Sequence, residues 1–301
     1  TTQLTPGTPN PSPGSQNTLL ADGEYIINTR LGDLALIALG GLYDNNTQTF
    51  TPLRMGVVRY LFASEGMVYN DVDIDLDIVL DQTLSIKMNN TPSYPTGPSG
   101  KQVKTWMDFG FEGVFGGLPV ARGDDSASLL QINSLPELVD QLSDVDLFIE
   151  ASTTTGGNAP YSVGLLRGVT QLNQILNVDM LDVPIMTSPS EGARPQDNLI
   201  TFSYNSPDKP DLYYVRVQTL MQETRWEGFL PGDATSLSLP DFPDFSSLPP
   251  ELRPFPYSNE LLMIAIIAIK QPGLDFNQFD YTSLNQELWT AYSVSVHTIT
   301  L

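Results

Sequence analysis

Four aspartates, Asp71, Asp73, Asp75 and Asp77, alternate with Val72, Ile74, Leu76 and Ile78. On a strand, side chains alternate between faces, so the carboxylates would share one face, about 6.8 Å apart, and the apolar set would face a core. The row is a candidate Ca2+ site. Calcium takes about six to eight oxygens at about 2.3–2.6 Å, so a straight strand brings at most two carboxylates to one ion and loops must supply the rest. Two other uses fit the same row: a solvated face that discourages edge-to-edge pairing, and a seat for a basic partner. Asp108, Glu112, Asp124 and Asp125 offer a second acidic group, but no EF-hand spacing is present. Arg122-Gly123-Asp124 spells an adhesion tripeptide, and its plain reading is a glycine turn flanked by charge.

The remaining inventory points away from catalysis. Cysteine is absent and His297 is the single histidine. That excludes disulfides, thiolate zinc, a cysteine nucleophile and a multi-histidine metal site. His297 falls in the run Tyr292–His297, where alternation places it with Ser293 and Ser295 on a polar strand face. No Gly-x-Ser-x-Gly elbow accompanies it. Gly97–Lys101 has the outline of a phosphate loop, but Pro95 and Gln102 stand where a glycine and a hydroxyl residue are required. Trp106 and Trp226 are candidate stacking platforms for a sugar. The expectation is a chain that is not an enzyme and has no cofactor, calcium being the alternative.

Thirty-five acidic residues against 14 basic give a net charge of -21. Such a surface repels phosphate backbones and anionic lipid, so no nucleic-acid partner is expected. The longest apolar run, Leu261–Ile269, is far short of the about 20 residues a spanning helix needs. A cysteine-free acidic chain that opens on Thr reads as a processed bacterial product outside the cytoplasm: secreted, periplasmic or on the cell surface. A lipid anchor would come from residues upstream.

Turn signals recur roughly every 8–12 residues, which points to an all-β fold of tandem antiparallel sandwiches with few short helices. Strands are expected at 24–30, 34–39, 50–62, 68–80, 83–88, 106–115, 147–152, 162–166 and 178–186. A short helix is expected over Ser134–Val145, where Leu135, Leu138, Val139 and Leu142 match helical spacing. Ser188–Asn198 is the best domain boundary. Beyond it lie six strand candidates: 199–204, 212–220, 224–229, 236–239, 261–269 and 291–301. Pro-rich stretches flank this framework. Residues 1–17 read as a tail or tether, and Pro240–Tyr257 as an irregular loop. Their Pro6, Pro9, Pro11, Pro13, Phe242, Phe245, Phe255 and Tyr257 are candidate interface residues.

Two patterns resemble known modules. Gly23, Tyr25, Gly66, Val72, Ile74 and Leu76, spread over residues 18–90, resemble the transthyretin-like, carboxypeptidase-regulatory-type sandwich of bacterial surface proteins and lipoproteins. Residues 191–301 resemble a fibronectin type III-like, immunoglobulin-like module, through Tyr204, the strand Tyr213–Val217 and the Thr235, Ser236, Leu239, Pro240 turn. The usual early-strand tryptophan is missing, and Trp226 lies in a later strand. Residues 91–190 form a second β-rich region, separate from the first or continuous with it. The resemblances imply scaffold modules without an active site. Together with the composition, they predict a structural or protein-interaction subunit of a larger assembly. The alternative is a carbohydrate- or calcium-dependent binding or adhesion module.

Overall fold

The computed structural model describes residues 17–19, 25–27, 29–92, 100–155, 159–221, 224–239, 261–280, 284 and 286–300. The candidate interface residues of the Pro-rich tail and of Pro240–Tyr257 lie outside these. The described strands are β1 (Asn17–Leu19), β2 (Tyr25–Ile27), β3 (Gly32–Asp44), β4 (Thr49–Ala63), β5 (Ile78–Asn89), β6 (Gly100–Asp108), β7 (Val114–Phe115), β8 (Ala121–Asp124), β9 (Leu130–Pro136) and β10 (Asp146–Thr154). They continue as β11 (Tyr161–Val169), β12 (Ile175–Asp179), β13 (Ile185–Ser188), β14 (Leu199–Ser203), β15 (Leu212–Thr219), β16 (Thr224–Pro231), β17 (Ser236–Ser238), β18 (Leu261–Lys270) and β19 (Ala291–Thr300). Helix among the described residues is confined to single 3-10 turns such as Gly110–Glu112 and Asp140–Leu142. The fold is all-β.

The chain divides into two compact units that interleave in sequence. Unit 1 takes Thr1–Lys87, Gln102–Ala151 and Leu165–Val178, and unit 2 takes Met88–Lys101, Ser152–Gly164 and Asp179–Leu301. Each change of unit falls inside a strand: β5, β6, β10, β11 or β12.

Unit 2 is a two-sheet sandwich. One sheet has the order β13-β14-β17 and the other runs β16-β15-β18-β19, with β11 added through Tyr161–Gly164. Counted along the chain, the first, second and fifth of these seven strands face the fourth, third, sixth and seventh. This is an immunoglobulin-type Greek key with the three-plus-four division of a fibronectin type III-like module. Ile200 and Phe202, Tyr213 and Val215, Leu262 and Ile264 meet in its core. Phe202 and Tyr213 pack edge to face at 5.0 Å, and Tyr204 meets Tyr213 at 6.2 Å. These three rings fill the inner layer of a module that lacks the early tryptophan. β18 lies between β15 and β19 and is buried on both faces, which explains its unbroken apolar run.

Ser188–Asn198, the expected boundary, connects β13 to β14 inside unit 2. It is latched to β19: Gly192 N–H donates to Thr298 O at 2.8 Å, and Glu191 accepts the Thr298 N–H at 2.8 Å. The expected outward polar face of β19 is also corrected. Ser293, Ser295 and His297 pair across the ladder with Ala268, Ile266 and Ile264 of the core, so they point inward. Ser293 Oγ donates to Asp182 O at 2.6 Å. His297 Nε2 accepts the Met186 N–H at 3.4 Å, and Nδ1 lies 3.6 Å from Glu191. Burial lowers the pKa of this imidazole, against the pull of Glu191. His297 is a neutral cross-brace between β19 and β13.

In unit 1, one sheet has the order β12-β5-β4-β3 with β9 on β5, and β6 carries β7, β8 and β10. Met55, Leu84, Ile86, Val103, Met107 and Ile149 are fully buried. The expected helix over Ser134–Val145 does not form. Leu135 and Pro136 belong to the β9 ladder opposite Gln82 and Leu80, Val139 is extended, and Asp140 is left-handed (φ 52°). The expected strand at 106–115 is broken by the Gly110–Glu112 turn.

Candidate interaction surface

β3 and β4 form one long hairpin whose ladder runs from Gly32–Ala63 to Asp44–Thr49. Its end turn is shaped by short polar residues. The Asp44 carboxylate accepts the Asn46 N–H at 2.8 Å, and Gln48 is left-handed. Alternation, carried through a bulge at Gly40/Gly41, puts Ile37, Leu39, Met55, Val57 and Pro52 on the inward face. Tyr43 and Phe50, paired across the ladder, continue that inward row past the core. They are nonetheless 58% and 46% exposed, and Leu42 on the opposite face is 66% exposed. A shallow groove of about 200 Å³ runs between Phe50–Pro52 and Pro119, Val120 and Ile132. The outer edge of β3 pairs with no strand among the described residues. Exposed apolar side chains beside an unpaired edge make this end of the hairpin a candidate interaction surface.

Residues 68–77 lie across the opposite face of this hairpin as an extended strap. The expected strand at 68–80 begins only at Ile78, and Asp71 is left-handed. Two glycines inside the strands make room for the strap. A β-carbon at Gly56 would stand 2.3 Å from Asp75 O, and one at Gly40 would stand 2.7 Å from the Leu76 side chain. Tyr25 donates its hydroxyl to Val72 O, and Arg54 donates to Leu76 O at 3.3 Å. The strap's backbone therefore bonds to side chains instead of to a ladder. Val72, Ile74 and Leu76, three residues that carry the transthyretin-like resemblance, therefore lie outside any strand. The alternation itself survives: Val72 and Ile74 are half-buried, while Asp71, Asp73, Asp75 and Asp77 are exposed. Among the described residues, no three His, Asp or Glu side chains are grouped to hold a metal ion.

The base of the hairpin is locked by Arg59. Its guanidinium donates to Glu112 (Nε to Oε2, 2.6 Å), to Asp144 (2.8 and 3.1 Å) and to Gln141 O (2.7 Å). It also stacks on the rings of Tyr60 and Phe109. Glu112 accepts the N–H of Tyr60 as well, which is left-handed at the second hairpin bulge. The Arg59 and Glu112 side chains are only 5% and 6% exposed. Sequence reasoning gave Arg59 no role, since nothing local marks an arginine whose partners lie more than fifty residues away.

The other candidates are placed separately. Trp106 is buried and tilted on Phe148 at 5.4 Å, so it offers no face to a sugar. Trp226 is partly buried and packs against the unit 2 core. Asp108 caps the Gly110 N–H, and Asp124 holds the Ser126 N–H, each at 2.9 Å, so the second acidic group is dispersed into local turns. Arg122 and Asp124 both lie on β8.

Glu150 on β10 sits where burial disfavours its charge. Burial raises its carboxyl pKa above the ordinary value, against the attraction of Lys104 at 3.6 Å. A folded pKa above the unfolded one gives stability that is complete below the unfolded value and lost as pH rises through the folded one. Glu150→Gln is therefore expected to raise the melting temperature at neutral pH. The gain should fade as the pH is lowered to about 4. Melting curves at the two pH values check this.

No protein-family model matches the chain. No curated protein matches it. Among solved structures, the crystal structure of chicken CNTN1 FN1-FN3 domains is similar at 10% identity, over 90% of this chain and 96% of that one, with a TM-score of 0.21. A score this low carries no argument about function, and the unit 2 topology stands on its own strand order.

Proposed function

We propose that this chain is a non-enzymatic structural or protein-interaction module, an extracytoplasmic subunit of a larger assembly, and that the β3–β4 hairpin is its contact element. The observation that carries the reading is the inward-facing row of the hairpin running past its core. Tyr43 and Phe50 are left in solvent there, with Leu42 behind them. Burying such side chains against a partner is worth about 1.5–3 kcal/mol each, and a rigid two-stranded support lowers the ordering cost. The lack of cysteine and the net charge of -21 support a location outside the cytoplasm.

The test is chemical cross-linking and affinity capture with the full chain, run beside the Tyr43→Ser/Phe50→Ser variant. The variant should keep the wild-type melting temperature and lose the complexes that the wild type forms. Complexes retained undiminished by the variant would remove the hairpin from the interaction.

A further inference from the structure

We infer that the strap face of the β3–β4 hairpin seats a cationic protein segment in which Lys or Arg alternates with apolar residues. The inference rests on the interaction reading and names its partner chemistry. Leu42 lies two residues beyond Gly40 on the face that the strap crosses, and Leu76 packs over Gly40 itself. Val79, opposite Arg54 in the β4–β5 ladder, belongs to the same face. All three apolar side chains are exposed.

The charges around them choose the occupant. Asp71, Asp73, Asp75 and Asp77 stand exposed along the strap, and Asp81 is exposed two residues beyond Val79. Arg54 is the cation among them, and its guanidinium is turned onto the Leu76 carbonyl. A second copy of this chain would bring a like row of carboxylates against the first, within a molecule of net charge -21. A nucleic acid or anionic lipid is repelled for the same reason. An extended basic segment places its cations against the carboxylates and its apolar side chains on Leu42, Leu76 and Val79. Attraction of this kind acts on encounter rate and selectivity, and the apolar contact holds the segment in place.

The test uses the full chain and a fluorescent peptide of alternating Lys and Val, with the Glu-for-Lys peptide as its counterpart, read by fluorescence anisotropy. The wild type should bind the cationic peptide and not the anionic one, and binding should weaken when NaCl is raised from about 0.05 M to about 0.5 M. Asp73→Asn/Asp75→Asn/Asp77→Asn should weaken binding by about tenfold. Leu42→Ser, at an exposed position, should weaken it by a few-fold. A charge-matched control, Glu137→Gln/Asp140→Asn/Asp197→Asn, removes three exposed carboxylates elsewhere and should stay within about twofold of wild type. The inference is overturned if the control loses as much as the strap variant, if Leu42→Ser changes nothing, or if the wild type does not prefer the cationic peptide. Complexes lost in Tyr43→Ser/Phe50→Ser but kept in the strap variant would leave the hairpin as a contact element and reject the cationic segment. Complexes kept in both would reject the contact element itself.

Discussion

Replacing Arg59 by alanine is expected to lower the stability of unit 1 by about 3–5 kcal/mol, the usual cost of removing one partner from a buried ion pair. The guanidinium is almost wholly enclosed, and so is Glu112. Without Arg59, Glu112 would remain as a buried charge with, among the described residues, a hydrogen bond from the Tyr60 N–H alone. A graded series separates this from loss of packing. Arg59→Met with Glu112→Gln removes both charges, keeps volume, and leaves a side-chain oxygen for the Tyr60 N–H. It should recover at least half of the loss, since the desolvation cost disappears with the charges. Urea unfolding followed by near-ultraviolet circular dichroism reads both variants. Equal destabilisation in the single and double variants would show that the triad works by packing alone.

The same lock has a pH signature. Arg59 holds the Asp144 carboxyl below its ordinary value of 3.8, mainly through the hydrogen bond it donates. Because the folded pKa is the lower one, the stabilisation is complete above the unfolded value. It is lost as pH falls through the folded value. Wild type should therefore weaken more steeply in acid than an Asp144→Asn variant.

Gly56→Val is expected to cost about 1–3 kcal/mol, the range for overpacking a filled site. Its β-carbon would meet a backbone oxygen, Asp75 O, which has no rotamer with which to move aside. Gly40→Ala should be much milder, because its obstacle is the far end of the flexible Leu76 side chain. The local readout is proteolysis: cleavage within residues 68–77 should accelerate in Gly56→Val while the β3–β4 amides keep their hydrogen-exchange protection. A Gly56→Val protein with wild-type stability and strap protection would mean that the strap does not rest on this glycine.

The second half of the chain was legible because its strands are bounded by strong turn signals and β18 has an unmistakable apolar run. All six strand candidates there match β14 to β19. The strap was misread because alternation of Asp with Val, Ile and Leu reports one buried side and one wet side. It does not report whether the backbone is paired to another strand. Gly40 and Gly56 inside strand-like runs carried the missing signal, since glycine there marks close approach of another segment. β19 was misread because Ser293 and His297 are satisfied by Asp182 O, the Met186 N–H and Glu191, groups that no local pattern brings together. The Arg59 lock was invisible for the same reason, because its geometry is created by two distant turns. Trp106 is a reminder that an aromatic residue type alone does not distinguish a platform from a core side chain.

The interleaving of the two units has a consequence for biosynthesis. Neither unit can be completed from a contiguous stretch of nascent chain. Unit 1 waits for Leu165–Val178 to emerge, and Met88–Lys101 must be made long before the bulk of unit 2, which begins at Asp179. At about 5–20 residues per second, several seconds separate the synthesis of that early segment from the arrival of Asp179. Protein-engineering fragments cut at the midpoint would inherit the same problem permanently, so the chain has to be handled and refolded as a whole.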